Sequence, residues 1–106
     1  MNDQFKNNFK IHKSNIHGYG VFANKRLYQD LPIAIAIYYF LGVPHITVDF
    51  GKWINHSYKP NSKLYFDSYT GRYYLVAIRD IDHNEEITAD YNDTPWFIKK
   101  AEFYYK

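Results

Sequence analysis

Apolar and polar residues alternate along most of this chain, which predicts a succession of short strands, since a period of two puts every second side chain on one face of a sheet. Phe9-Lys-Ile-His-Lys13 is the first such stretch, ended by Ser14-Asn15. Tyr19 to Ala23 is the second, entered through Gly18-Tyr19-Gly20, where two glycines permit a turn and a close approach to the main chain. Pro32 opens the longest apolar run, Ile33-Ala-Ile-Ala-Ile-Tyr-Tyr-Phe-Leu41. Its isoleucines share one face and its alanines the other, so this strand is expected to be covered on both sides. Gly42-Val-Pro44 breaks the run, and His45 to Phe50 alternates again. Lys63 to Phe66 and Arg72 to Arg79 flank Asp67-Ser-Tyr-Thr-Gly71 and read as an antiparallel hairpin. Glu86 to Tyr91 is the last strand, stopped by Asn92-Asp-Thr-Pro95. Only Trp96 to Lys106, with Phe97, Ala101 and Tyr105 four apart, has helical spacing and predicts a short C-terminal helix. Residues 1 to 10 are polar around two phenylalanines and read as a loose arm or an edge strand.

One stretch interrupts the pattern. Five of the nine residues of Trp53-Ile-Asn-His-Ser-Tyr-Lys-Pro-Asn61 are Asn, His, Ser or Pro, side chains that bend a backbone and bond to it, so a structured loop is expected here. Two turns would account for it; a loop this rich in chemistry is also where sites are found.

Composition adds exclusions. The 106 residues make a single domain, 1–106, with a core over about 9–98. Cysteine is absent, which removes disulfides, thiolate nucleophiles and cysteine-based zinc sites. His12, His17, His45, His56 and His83 show no i, i+4 pair, so no metal site is expected. No Gly-x-Ser-x-Gly elbow occurs, and Gly18-Tyr-Gly20 lacks the third glycine and the following helix of a dinucleotide loop. Glu85 and Glu86, adjacent in a strand, point to opposite faces and read as solvated surface. The first ten residues lack a signal-peptide core, and the nine-residue run at Ile33 is far short of the roughly 20 needed to cross a bilayer as a helix. A soluble, intracellular protein without membrane association is expected. Net charge is +2 with scattered Lys and Arg, which does not demand a nucleic-acid groove.

The order of three motifs is more telling than any one of them. Ile16-His-Gly-Tyr-Gly-Val-Phe-Ala23, then Asn55-His-Ser-x-x-Pro-Asn61, then a hairpin and Ala77-x-Arg-Asp-Ile-x-x-x-Glu-Glu-Ile-Thr-x-Asp-Tyr91, resembles the SET domain, the fold of many protein-lysine methyltransferases. The likeness is to a compact, minimal SET domain of the viral or bacterial type. It implies a mainly β, β-clip-like fold of small sheets, with the C-terminal segment threaded under a preceding loop as a pseudoknot. It further implies S-adenosylmethionine as cofactor and a lysine-bearing protein, such as a histone, as substrate. That would place the protein in the nucleus if the substrate is a histone and in the cytoplasm otherwise.

Residue by residue, the resemblance makes Tyr91 the catalytic tyrosine and gives cofactor contacts to Gly18, Tyr19, Gly20, Asn55, His56 and Trp96. Tyr19, Tyr65, Ala89 and Tyr91 would line the substrate channel, and the small Ala89 would leave room for di- or trimethyllysine. The chemistry suits such a channel. A free lysine of pKa about 10.4 is neutral in roughly one molecule in 2,500 at pH 7, and desolvation beside a sulfonium favours the neutral nucleophile. The chain departs from the family at Gln29-Asp30-Leu31, where a Lys-Gly-Glu-like turn is usual, and at Asn84 and Asn92, where glycine is usual. It also nearly lacks the insert that walls the substrate groove in many relatives, which implies an open groove, or one completed by a partner such as a second copy in a homodimer. Two alternatives accompany this expectation: a SET-like module that binds cofactor or peptide without turnover, and a small β-rich nucleic-acid binder using stacked tyrosines.

Overall fold

The structure, a computed structural model, describes residues 1–93; the expected helix over 96–106, and Trp96 with it, lie outside the described residues. Eight strands follow in order: β1 (Phe9–Lys13), β2 (Tyr19–Ala23), β3 (Pro32–Phe40), β4 (Val43–Ile46), β5 (Asn55–His56), β6 (Ser62–Asp67), β7 (Arg72–Ala77) and β8 (Glu86–Ala89). They form two four-stranded sheets, β1-β2-β8-β5 and β4-β3-β7-β6. Every pairing is antiparallel except β5 with β8, where Asn55 faces Thr88 and His56 faces Ala89.

The core lies between the sheets. Ile33 to Ile37 are all buried, alanines included, as expected for a strand covered on both faces, and Ile33, Ala34, Ala36 and Ile37 share a cluster with Val21, Leu27, Phe50, Leu75, Ile81 and Ile87. Full burial of each isoleucine contributes about 1.5–3 kcal/mol, so this strand is a major source of stability.

Two sequence expectations are corrected. Of residues 1 to 10 only Phe9 and Lys10 join an edge strand, β1, and the residues before them are not a loose arm: Asp3–Phe5 is a 3-10 turn, and Asn2 is 2% exposed. Its Nδ2 donates to the Ile35 carbonyl at 3.0 Å and the Ile35 amide donates to its Oδ1 at 2.7 Å, so an amide side chain replaces a missing strand partner at the bulge of β3. The fourth strand starts earlier than its alternation suggested, at Val43, because Leu41 and Gly42 (φ 52° and 77°) turn the chain back on β3 directly. It stops at Ile46, where Thr47 turns inward. Thr47 Oγ1 donates to the Ile35 carbonyl at 2.8 Å and accepts from the Gly51 amide at 2.8 Å, opening a 3-10 turn at Gly51–Trp53. The stretch between β4 and β5 is therefore short, as expected from the missing insert.

Of the departures from the family's glycines, Asp30 and Asn84 fall where the backbone is left-handed, whereas Asn92 lies in a 3-10 turn without a positive φ. Asp30 has φ 72° and Asn84 φ 71°, and their amides donate to the carbonyls of Ala77 and Ala23, both at 2.8 Å. Asp and Asn tolerate this region better than other side chains, so both turns form without glycine. Among the described residues no helix is long and apolar enough to cross a membrane.

Candidate active site

The loop from Ile54 to Ser62 is laid over β8 and the residues after it. The Ser57 amide donates to the Ala89 carbonyl at 3.0 Å, and Ser62 Oγ donates to the Thr88 carbonyl at 2.5 Å. Asn61 binds the same strand twice: Nδ2 donates to the Glu86 carbonyl at 2.7 Å, and Oδ1 accepts from the Thr88 amide at 2.9 Å. A side chain thus continues the ladder that the two-residue β5 begins. These bonds hold the end of β8 under the loop, as the threaded fold requires.

Beneath it sits Tyr91, 4% exposed, in a 3-10 turn at Tyr91–Asp93. Its hydroxyl donates to the Ile54 carbonyl at 2.7 Å, and its amide donates to His56 Nδ1 at 3.0 Å. The two rings lie 4.9 Å apart, and Tyr58 meets the other side of the imidazole edge-on at 4.2 Å. Because Nδ1 accepts, the neutral imidazole carries its proton on Nε2. His56 thus orients Tyr91 through its side chain, in addition to any backbone role.

Asn55, 7% exposed, faces the other way, toward the Gly18-Tyr19-Gly20 segment. Its Nδ2 lies 3.1 Å from the His17 carbonyl, 3.3 Å from the Tyr19 carbonyl, 3.1 Å from Ser14 Oγ and 2.9 Å from Glu86 Oε2. Glu86 is not the solvated side chain its sequence position suggested. Ser14 Oγ lies 2.8 and 2.9 Å from its two carboxylate oxygens, so β8 is tied to both glycine-bearing and Asn-bearing segments. Gly20 is buried with no room for a side chain: a Cβ there would overlap Glu86 Oε2 and lie 3.0 Å from Asn55 Nδ2. Glu85 does face outward, paired with Arg79 at 2.5 Å. That hydrogen bond holds its carboxyl below the ordinary value of 4.5 despite some burial, and raises the guanidinium in turn.

Gly20, Asn55, His56 and Tyr91 are thus brought together with Tyr19, whose ring meets Trp53 edge-on at 6.3 Å. Two expected channel residues have other neighbours as well. Ala89, though paired with His56 across β5 and β8, is buried and lines an apolar void of about 10 Å³ with Ala36, Ile37, Ile54 and Leu64. Tyr65 lies on the outer sheet in a groove with Phe5, Pro32 and Tyr74. Sequence reasoning missed Ser14 and Glu86. No local pattern points to them, since the pairing of β2 with β8 that brings Glu86 beside Gly20 joins segments far apart in sequence. No group of three or more metal-ligating side chains occurs among the described residues.

A SET-domain family model matches residues 29–92. The chain belongs to the SET-domain family. Solved structures with the same SET fold include a Plasmodium falciparum candidate histone methyltransferase, 20% identical with TM-score 0.64, the match covering 84% of this chain and 96% of that one. Another is apo ctPRC2 with substitutions in Ezh2, 19% identical with TM-score 0.61, covering 87% of this chain and 16% of that one. A third is a humanized Chaetomium thermophilum Polycomb Repressive Complex 2 bound to an inhibitor, 19% identical with TM-score 0.61, covering 82% and 15%. The SET domain described here therefore corresponds to one part of those longer chains. No curated protein matches the chain by sequence.

Proposed function

We propose that this SET domain is an S-adenosylmethionine-dependent protein-lysine N-methyltransferase. The observation that carries the proposal is the meeting of Tyr91, buried with its hydroxyl on the Ile54 carbonyl, with Asn55 and His56 on the parallel strand pair β5–β8.

The residues present fit the cofactor. Gly20 lets the Glu86 carboxylate come against the backbone, and with His17 O and Tyr19 O that carboxylate engages the Asn55 NH₂, which leaves Asn55 Oδ1 as an acceptor for an amino-acid ammonium group. Gly18, Tyr19, Gly20, Asn55 and His56 would hold it, with Trp96 as a further candidate outside the described residues. When bound, the cofactor supplies an electrophilic methyl group on a cationic sulfur.

The chain's own part is to bind, orient and dry. Tyr91 and the Ile54 carbonyl offer a fixed hydroxyl and carbonyl oxygen in a buried setting, able to align a lysine amine by hydrogen bonds. The His56 ring, packed on the buried Tyr91 ring, sets aromatic surface at that corner, which favours the neutral amine over the ammonium form. No proton acceptor of matched strength is required at Tyr91, since the amine can lose its proton before it becomes enclosed. The substrate is proposed to be a basic protein, a histone among the candidates, reaching the site along the side left open by the missing insert.

Incubation with methyl-labelled S-adenosylmethionine and a panel of histones and other basic proteins tests this. Label in lysine with wild type, lost on Tyr91→Phe with the fold intact, is the expected result. Saturable cofactor binding without any label across the panel would favour a binding module over an enzyme.

A further inference from the structure

The carboxylate of Glu86 touches both halves of the candidate cofactor site, Ser14 and Gly20 on one side and Asn55 on the other. Ser14 Oγ accepts from the Ile16 amide at 2.9 Å and from Asn55 Nδ2 at 3.1 Å, so its own proton is directed to Glu86, 2.8 and 2.9 Å away. An ionised carboxylate only accepts, so the Asn55 side chain must present its NH₂ end to Glu86. Turned over, Asn55 would set its oxygen against a carboxylate, two carbonyls and a hydroxyl oxygen. The NH₂ end being fully used, Asn55 Oδ1 receives no hydrogen bond from the described residues and is left as the outward acceptor.

Resting on the methyl-donor reading above, we propose that Glu86 is a positioning residue for the cofactor. Braced by Ser14, it fixes the rotation of the Asn55 amide, so that Asn55 Oδ1 meets a donor on the ligand's amino-acid portion. Gly20 belongs to the same device, because the carboxylate occupies the space a side chain would need. Glu86 itself does not touch the reacting atoms.

Two probes separate this role from a merely structural one: S-adenosylhomocysteine, which carries the amino-acid portion, and methylthioadenosine, which lacks it. Glu86→Ala should weaken S-adenosylhomocysteine by about ten-fold or more, the loss of one charge-assisted bond and a free amide rotor. Methylthioadenosine should change by less than about two-fold, because nothing it contacts depends on the Asn55 amide. Glu86→Gln should recover most of the loss, since its amide oxygen, placed where Oε2 now lies, can accept both from Asn55 Nδ2 and from the Ser14 hydroxyl. The double variant with Asn55→Ala should bind no more weakly than Asn55→Ala alone. If Glu86→Ala fails to fold, Ser14→Ala supplies the same comparison, with about a three-fold effect confined to S-adenosylhomocysteine. Equal weakening of both ligands, additive losses, or no change would overturn the proposal while leaving the methyl-donor reading in place. Wild type binding neither ligand would overturn both.

Discussion

Replacing Asn61 by alanine tests whether a side chain completes the ladder that holds the C-terminal segment. Asn61 is 2% exposed and gives β8 one donor and one acceptor, to the Glu86 carbonyl and the Thr88 amide. Asn61→Ala orphans both backbone groups under the loop. Each unsatisfied buried group costs about 1–3 kcal/mol, so a loss of about 2–6 kcal/mol is expected, the upper part only if no water enters. For a domain of this size 3 kcal/mol corresponds to a fall of about 12–24 °C in Tm. In urea unfolding the midpoint should fall at unchanged slope, because the same surface is exposed. Asn61→Asp sharpens the test. It keeps the acceptor for Thr88 but sets a carboxylate oxygen against the Glu86 carbonyl and near Glu85, whose Oε2 lies 3.3 Å from Asn61 Nδ2. It should be at least as destabilising at pH 7, with the deficit shrinking in acid as that oxygen gains a proton to donate. A loss below about 0.5 kcal/mol for Asn61→Ala would refute the ladder role, since that is the size of an ordinary surface substitution.

Three further outcomes follow from other parts of the fold. Leu41 is 87% exposed at φ 52°, where a left-handed backbone costs a non-glycine residue about 1–2 kcal/mol, so Leu41→Asn should raise Tm, and an unchanged or lower Tm would count against the tight turn. Gly51→Ala should lower stability by about 1–3 kcal/mol or more by chemical denaturation, because the new Cβ would overlap the Ala36 carbonyl, itself held by the Thr47 amide at 2.9 Å, and lie 2.9 Å from Ile46 Cγ2. Glu85 has its carboxyl lowered chiefly by the Arg79 hydrogen bond, so its contribution is present above pH 4.5 and is lost as pH falls through the folded value. Glu85→Gln should therefore cost about 0.2–1 kcal/mol near pH 7, small because both side chains are partly solvated, and the gap to wild type should close in acid.

Much of the fold was legible because strand periodicity survives wherever one face is buried. Phe9–Lys13, Tyr19–Ala23 and the hairpin around Asp67–Gly71 stand as expected, and the Ile/Ala run is buried on both faces. What periodicity does not carry is the work of single side chains on distant backbone. Asn2, Thr47 and Asn61 are polar residues that sequence assigns to arms, strands or turns, yet each is buried because it answers a main-chain donor or acceptor far along the chain. Glu86 was misassigned for a related reason: strand alternation fixes which face it takes, but not that Ser14 and Asn55 wait on that face. The threading beneath the loop was legible only through the order of motifs, since the pairing of β5 with β8 spans more than thirty residues and leaves no local trace. Tyr65 shows the converse limit, an aromatic residue that the resemblance set in a channel while its strand carries it to a groove with Phe5, Pro32 and Tyr74.

The most direct test of the central claim is a calorimetric titration of the folded domain with S-adenosylmethionine and S-adenosylhomocysteine, run beside Asn55→Ala. Saturable binding at one site, weakened by about ten-fold or more in the variant, is the outcome expected of a methyl-donor site at the Asn55 loop. A folded wild-type domain that binds neither compound at millimolar concentration would contradict it.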